Sequence, residues 1–170
     1  MNVKPIKIPF SLKSVQALAI FMSLAFSVSA QQFEWVKRIG NALDHQAFIV
    51  MTDAANNVYI TGYFQSGFYF VPETSSNSGQ AFGGDDIFIA KYNANGTFIW
   101  GKTIGGSSQD RPNGMAISAD GNISITGFFN GTVDFNPGSS VDNLTATGNQ
   151  DIFVLKLNSN GDYVWAHKFG

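Results

Sequence analysis

Three eight-residue segments of this chain share one pattern: FEWVKRIG at 33–40, FIWGKTIG at 98–105 and YVWAHKFG at 163–170. Their tryptophans, Trp35, Trp100 and Trp165, are spaced about 65 residues apart. The stretches between them align in that register without a gap. NVYITGYF (57–64) matches NISITGFF (122–129), and DIFIAKYNANG (86–96) matches DIFVLKLNSNG (151–161). Phe70 falls on Phe135 and Pro72 on Pro137. Such an ungapped tandem repeat restricts the fold severely, because a repeat unit buries its apolar faces by stacking on its neighbours. The chain therefore divides into residues 31–40, the outer strand of a preceding unit, then a first repeat at 41–105 and a second at 106–170.

Each repeat reads as four strands. In the first they fall near 48–52, 58–64, 87–92 and 98–103; in the second near 114–118, 123–129, 152–157 and 163–168. Asn and Gly mark the turns at 55–57, 93–96, 120–122 and 158–161, where residues that tolerate positive φ are needed. No segment after residue 31 has a helical apolar period. Ile87, Phe88, Ile89 and Ala90 are consecutive, so the third strand is apolar on both faces. A sheet with one wet face would alternate more cleanly. A four-stranded blade held between two siblings buries both faces, and that predicts an all-β fold of two four-stranded antiparallel β-propeller blades, an incomplete ring. A β-solenoid and a two-sheet sandwich are the alternatives.

Residues 1–30 read as an address. Lys4, Lys7 and Lys13 precede a nearly continuous apolar run from Val15 to Val28, and Val28-Ser29-Ala30 offers small residues for a signal peptidase. This is the layout of a cleaved signal peptide, with cleavage predicted after Ala30. The run is shorter than the roughly 20 residues that span a bilayer, so no stable membrane span is expected once the signal is removed. The chain is then secreted or held at the cell surface. It contains no cysteine, which rules out disulfides, a thiol nucleophile and a lipidated cysteine anchor. Its 10 basic and 12 acidic side chains give a net charge of −2, which does not suit a nucleic-acid partner.

The combined pattern W-x-K-x-x-G, G-N-x-x-x-T-G-x-F and D-I-F-x-x-K-x-x-x-x-G-x-x-x-W resembles the SBBP family of bacterial β-propeller repeats. It is carried here by Trp100, Lys102 and Gly105, by Asn122, Thr126, Gly127 and Phe129, and by Asp151, Phe153, Lys156, Gly161 and Trp165. Asn57 lacks the glycine that precedes Asn122, and His167 stands where Lys37 and Lys102 stand. The resemblance implies a secreted or cell-surface propeller and no particular activity. Propellers close with four to eight blades. Two blades therefore imply either a longer protein with further blades in cis or self-association of several chains.

The resemblance to propellers also implies a ligand face, formed by the connections from strand two to three and from strand four to the next blade. The first kind are long here, 65–85 and 130–150, and loops of such length either carry function or contain an extra strand. In the second kind lie Asp44, His45, Asp110 and Arg111, the candidate ligand-binding residues. A carboxylate beside a histidine can work as acid and base, although solvated turn residues look the same in sequence. Trp35, Trp100, Trp165, Gly62, Gly127, Asp86, Asp151, Lys91 and Lys156 recur at fixed places, which marks them as structural repeat positions. Two distant histidines without cysteine make no zinc set, and no calcium loop or catalytic signature is present. No cofactor, metal or catalytic residue is assigned. The expected role is a binding or scaffold module for an extracellular glycan or protein. The alternatives are a propeller-fold glycan hydrolase or lyase, or a propeller attached to a further C-terminal domain.

Overall fold

The computed structural model describes residues 35–40, 45–72 and 76–170. The signal-peptide expectation and Asp44 lie outside these residues. The described residues form twelve strands and no α-helix. The first repeat holds β1 (His45–Thr52), β2 (Val58–Phe64), β3 (Phe68–Val71), β4 (Ser76–Gly79), β5 (Asp86–Tyr92) and β6 (Phe98–Gly106). The second holds β7 (Arg111–Ile117), β8 (Ile123–Phe129), β9 (Thr132–Asp134), β10 (Asn143–Thr145), β11 (Asp151–Leu157) and β12 (Tyr163–Phe169).

In each repeat the four long strands form an antiparallel meander, β1-β2-β5-β6 and β7-β8-β11-β12. The register is the same in both. Thr61 faces Ile89 as Thr126 faces Val154. The two threonine hydroxyls donate to equivalent carbonyls, Phe88 O at 2.7 Å and Phe153 O at 2.8 Å. A bulge falls at the same place in the two first strands, between Ala47 and Ile49 and between Pro112 and Gly114. It drives the strand-one backbone onto strand two, so a Cβ at Gly62 would meet Gln46 O and one at Gly127 would meet Arg111 O. That is why the T-G-x-F glycine recurs.

β1 and β7 begin about three residues earlier than the sequence reading placed them, because pairing continues through the bulge. His45 and Arg111, expected in connecting loops, are therefore the first residues of strands. The two long connections are not open loops. Each folds into a hairpin, β3–β4 and β9–β10. Only their first strands were anticipated, since β4 (SNSG) and β10 (NLT) carry no apolar alternation.

Each hairpin reaches back to the preceding unit. β9 pairs with the end of β6, Gly105 opposite Asp134 and Gly106 opposite Val133. At the corresponding place upstream, Gly40 N–H donates to Tyr69 O at 2.9 Å. The main apolar cluster lies where the two meanders face each other. It joins Tyr59, Ile87, Ile89 and Ile104 of the first unit to Ile125, Phe129, Val133, Phe153 and Leu155 of the second. A second cluster, Phe64, Phe68, Phe70, Phe88, Ala90 and Tyr92, lies on the opposite face of the first unit, with Ile39 packed against it.

Candidate functional site

The β2–β3, β4–β5 and β6–β7 connections meet at one junction between the units. Its centre is Asp85, which is fully buried and stands just ahead of β5. Gln65, following β2, donates Nε2–H to Asp85 Oδ1 at 2.7 Å. Arg111, the first residue of β7, donates Nε–H to Asp85 Oδ2 at 2.6 Å, and its Nη2 closes an ion pair with the same oxygen. The guanidinium also lies over the Tyr63 ring, 4.2 Å from its centroid. Backbone bonds fix the same junction: Asp110 N–H to Asp85 O at 2.6 Å and Gly84 N–H to Ser108 O at 3.2 Å.

Two further buried carboxylates flank this pair. Asp110 accepts Gly106 N–H at 2.7 Å and Asn130 N–H at 3.1 Å, so it ties the β6–β7 connection to the end of β8. Asp86 accepts Phe82 N–H at 2.7 Å through Oδ2, while its Oδ1 has no hydrogen bond and lies against Gly105. Three buried carboxylates thus gather at the junction, and the Arg111 guanidinium pairs with one of them, Asp85. Burial, reinforced by the neighbouring charges of Asp110 and Asp85, pushes Asp86 up to about 6. Burial and the Asp85 charge likewise push Asp110 up to about 6.

The second repeat shows what Asp86 lacks. Asp151 occupies the same position, accepts Thr147 N–H at 2.9 Å, and also receives Lys168 Nζ at 2.8 Å. The lysine bond holds Asp151 below its ordinary value. Thr103 stands where Lys168 stands, so Asp86 has no such cation. Lys91, at the other end of β5, lies 3.9 Å from Asp53 and over the Tyr59 ring at 4.9 Å.

Of the ligand-face candidates, the sequence neighbours Asp110 and Arg111 are both engaged within the chain, with different partners. Arg111 keeps 32% of its side chain exposed, while Asp110 is fully buried. His45 sits at the equivalent start of β1, edge-on to Phe64 and Phe68 with centroids 6.4 and 5.4 Å away. The sequence reading did not pair Asp85 with Arg111. A signal was present: both break the repeat, with Gln150 in place of Asp85 and Gln46 in place of Arg111. Two departures of opposite charge on either side of one junction point to an ion pair that spans it.

The repeated tryptophans clamp one unit to the next. Trp35 Nε1–H donates to Ala94 O at 2.8 Å, and Trp100 Nε1–H to Ser159 O at 3.4 Å. Their rings lie against Gly96 and Gly161, whose φ values of 74° and 78° close the β5–β6 and β11–β12 turns. Among the described residues no group of three or more His, Cys, Asp or Glu is arranged to hold a metal ion.

No family model matches the chain. It is similar to an uncharacterised WD repeat-containing protein of Acanthamoeba polyphaga mimivirus, 28% identical over 111 aligned residues. The match takes in 56% of this chain but spans only 8% of the viral protein's length.

Proposed function

We propose that this chain is an exported β-propeller repeat protein of the SBBP kind. It acts at the cell surface or outside the cell as a binding or scaffold module for a glycan or protein ligand. The carrying observation is the repeated stacking geometry: two meanders in identical register, clamped by tryptophan, glycine and hairpin contacts at equivalent positions. The viral relative's description as a WD repeat protein is in keeping with this, since WD repeats build four-stranded propeller blades. Residues 1–30 act as the cleaved signal. Further blades, in cis or from other chains, complete the ring.

The hairpin side is the ligand face, with Arg111 as its reachable charged group. Binding is favoured over catalysis because Asp85, Asp86 and Asp110 are sealed from solvent, Asp86 and Asp110 bonded to backbone N–H groups and Asp85 to the Gln65 and Arg111 side chains. A general acid or base must reach the proton that it moves. The reading is tested on glycan and protein arrays with wild type and Arg111→Ala. Ligand retention without turnover, weakened at least fivefold in the variant, is the expected result. Product release that vanishes in Asp110→Asn would favour the hydrolase or lyase reading instead. Export has its own test: the secreted protein should begin at Gln31 by N-terminal sequencing, and a start at Met1 would contradict it.

A further inference from the structure

Phe48 is the bulged residue of β1, left without a pairing partner between Ala47 and Ile49. Its apolar ring is 51% exposed. The ring rests on Tyr63 of β2, with centroids 5.5 Å apart and planes 36° from parallel. Tyr63 is buried and also carries the Arg111 guanidinium, 4.2 Å from its centroid. Phe48, Tyr63 and Arg111 therefore make one continuous surface. It spans the junction between the two units, and this chain supplies both sides of it.

The repeat does not require this surface. In the second unit Asn113 stands at the bulge in place of Phe48, and the bulge forms all the same. An apolar ring left half in water at that position thus has no part in shaping the strand. Arg111 is a departure too, with Gln46 as its counterpart. Its Nε and Nη2 are committed to Asp85. Nη1 has no hydrogen-bond partner among the described residues, and the side chain is 32% exposed. A guanidinium offers donors and no acceptor.

A ligand that fits must set an apolar face against Phe48 and acceptor atoms at its rim against Arg111. Charge narrows the choice. The Arg111 charge is already met by Asp85, and Asp86 and Asp110 add buried negative charge at the same junction, so an anionic group gains little here. A cation would meet the guanidinium first, with the carboxylates sealed beneath. A peptide would bring fixed backbone N–H groups to a surface whose reachable polar group is only a donor, and an N–H covered without an acceptor is unfavourable. A sugar hydroxyl can accept from Arg111 and turn its own hydrogen to water. A pyranose ring joins a face of C–H groups to a rim of such hydroxyls. We propose that this surface binds a neutral saccharide, one ring of which stacks on Phe48 while its hydroxyl oxygens accept from Arg111 Nη1. The inference rests on the binding-module reading given above and names its ligand class.

The test titrates the full chain with cello-, manno- and laminari-oligosaccharides and with oligogalacturonate, and applies it to a protein array. The expected result is saturable binding of at least one neutral series, with nuclear Overhauser contacts from sugar C–H protons to the Phe48 ring. Phe48→Asn gives the bulge the side chain that the second unit has there. It should leave the melting temperature unchanged and weaken binding at least about fivefold. Arg111→Lys keeps a cation for Asp85 but loses the planar fork, and should weaken binding to a similar degree. Neutral binding indifferent to Phe48→Asn would overturn the site. Retention of oligogalacturonate alone, or of proteins alone, would overturn the ligand class and leave the binding-module reading standing. Retention of none of these probes would count against both.

Discussion

Asp86 and Asp151 occupy one repeat position and titrate in opposite directions. Burial, with the charges of Asp110 and Asp85, raises Asp86, whereas the bond from Lys168, which stands where Thr103 stands, holds Asp151 down. Asp86 and Asp110 are raised to about 6, so the folded chain holds protons that the unfolded chain releases near the ordinary value of 3.8. Stability from this source is complete below about pH 4 and is lost as pH rises to about 6. Each of the two groups contributes on the order of 3 kcal/mol to that loss. Urea titrations at pH 4.5 and 7 should show it, and Thr103→Lys should flatten it by giving Asp86 the cation that Asp151 has. An unchanged slope in that variant would count against the cause assigned here. Asp151 is lowered, so its contribution disappears only below that window, as pH falls through its folded value. The glycines give a second residue-scale test. A methyl at Gly127 would strike the Arg111 carbonyl, and Gly127→Ala should cost about 3 kcal/mol. Gly148, with φ 82° and nothing within 4 Å of a Cβ, should cost only about 1 kcal/mol on the same change. Equal losses in thermal unfolding would refute the steric account.

At the scale of elements, the clamp between units combines three parts: a tryptophan at strand four, a glycine turn in the next unit, and a hairpin that extends the preceding sheet. Trp100 is half-buried, so Trp100→Ala should destabilise by about 2 kcal/mol. Trp100→Phe keeps most of the packing and loses only a long hydrogen bond, costing under about 1 kcal/mol. Chemical denaturation of the two variants would check the ranking. The eight meander strands were legible in the sequence because apolar strands bounded by Asn and Gly turns carry a strong local signal. Their first-strand starts were not, since the bulges at Ala47/Ile49 and Pro112/Gly114 let pairing run on into polar residues. β4 and β10 were invisible for a related reason. They are polar strands held by backbone pairing to β3 and β9, and such pairing leaves no trace in side-chain pattern.

For the molecule as a whole, the repeat foretold that apolar strand faces would be covered by a sibling, and the shared cluster of Tyr59, Ile87, Ile89 and Ile104 with the second unit is that cover. The candidate site was only half legible. Asp110 and Arg111 were singled out, but as ligand-facing loop residues. Their partners Asp85, Gln65 and Tyr63 come from other strands, and only tertiary folding brings them close. The central claim is that equivalent units stack in the same sense, Trp35 and Trp100 each resting on the glycine turn of the unit that follows. Proton NMR measures this directly through ring currents. The Cα protons of Gly96 and Gly161 should be displaced upfield, with nuclear Overhauser contacts to the Trp35 and Trp100 indoles, while those of Gly148 stay near random-coil values. Gly161 protons at random-coil shift and without contact to Trp100 would contradict the account.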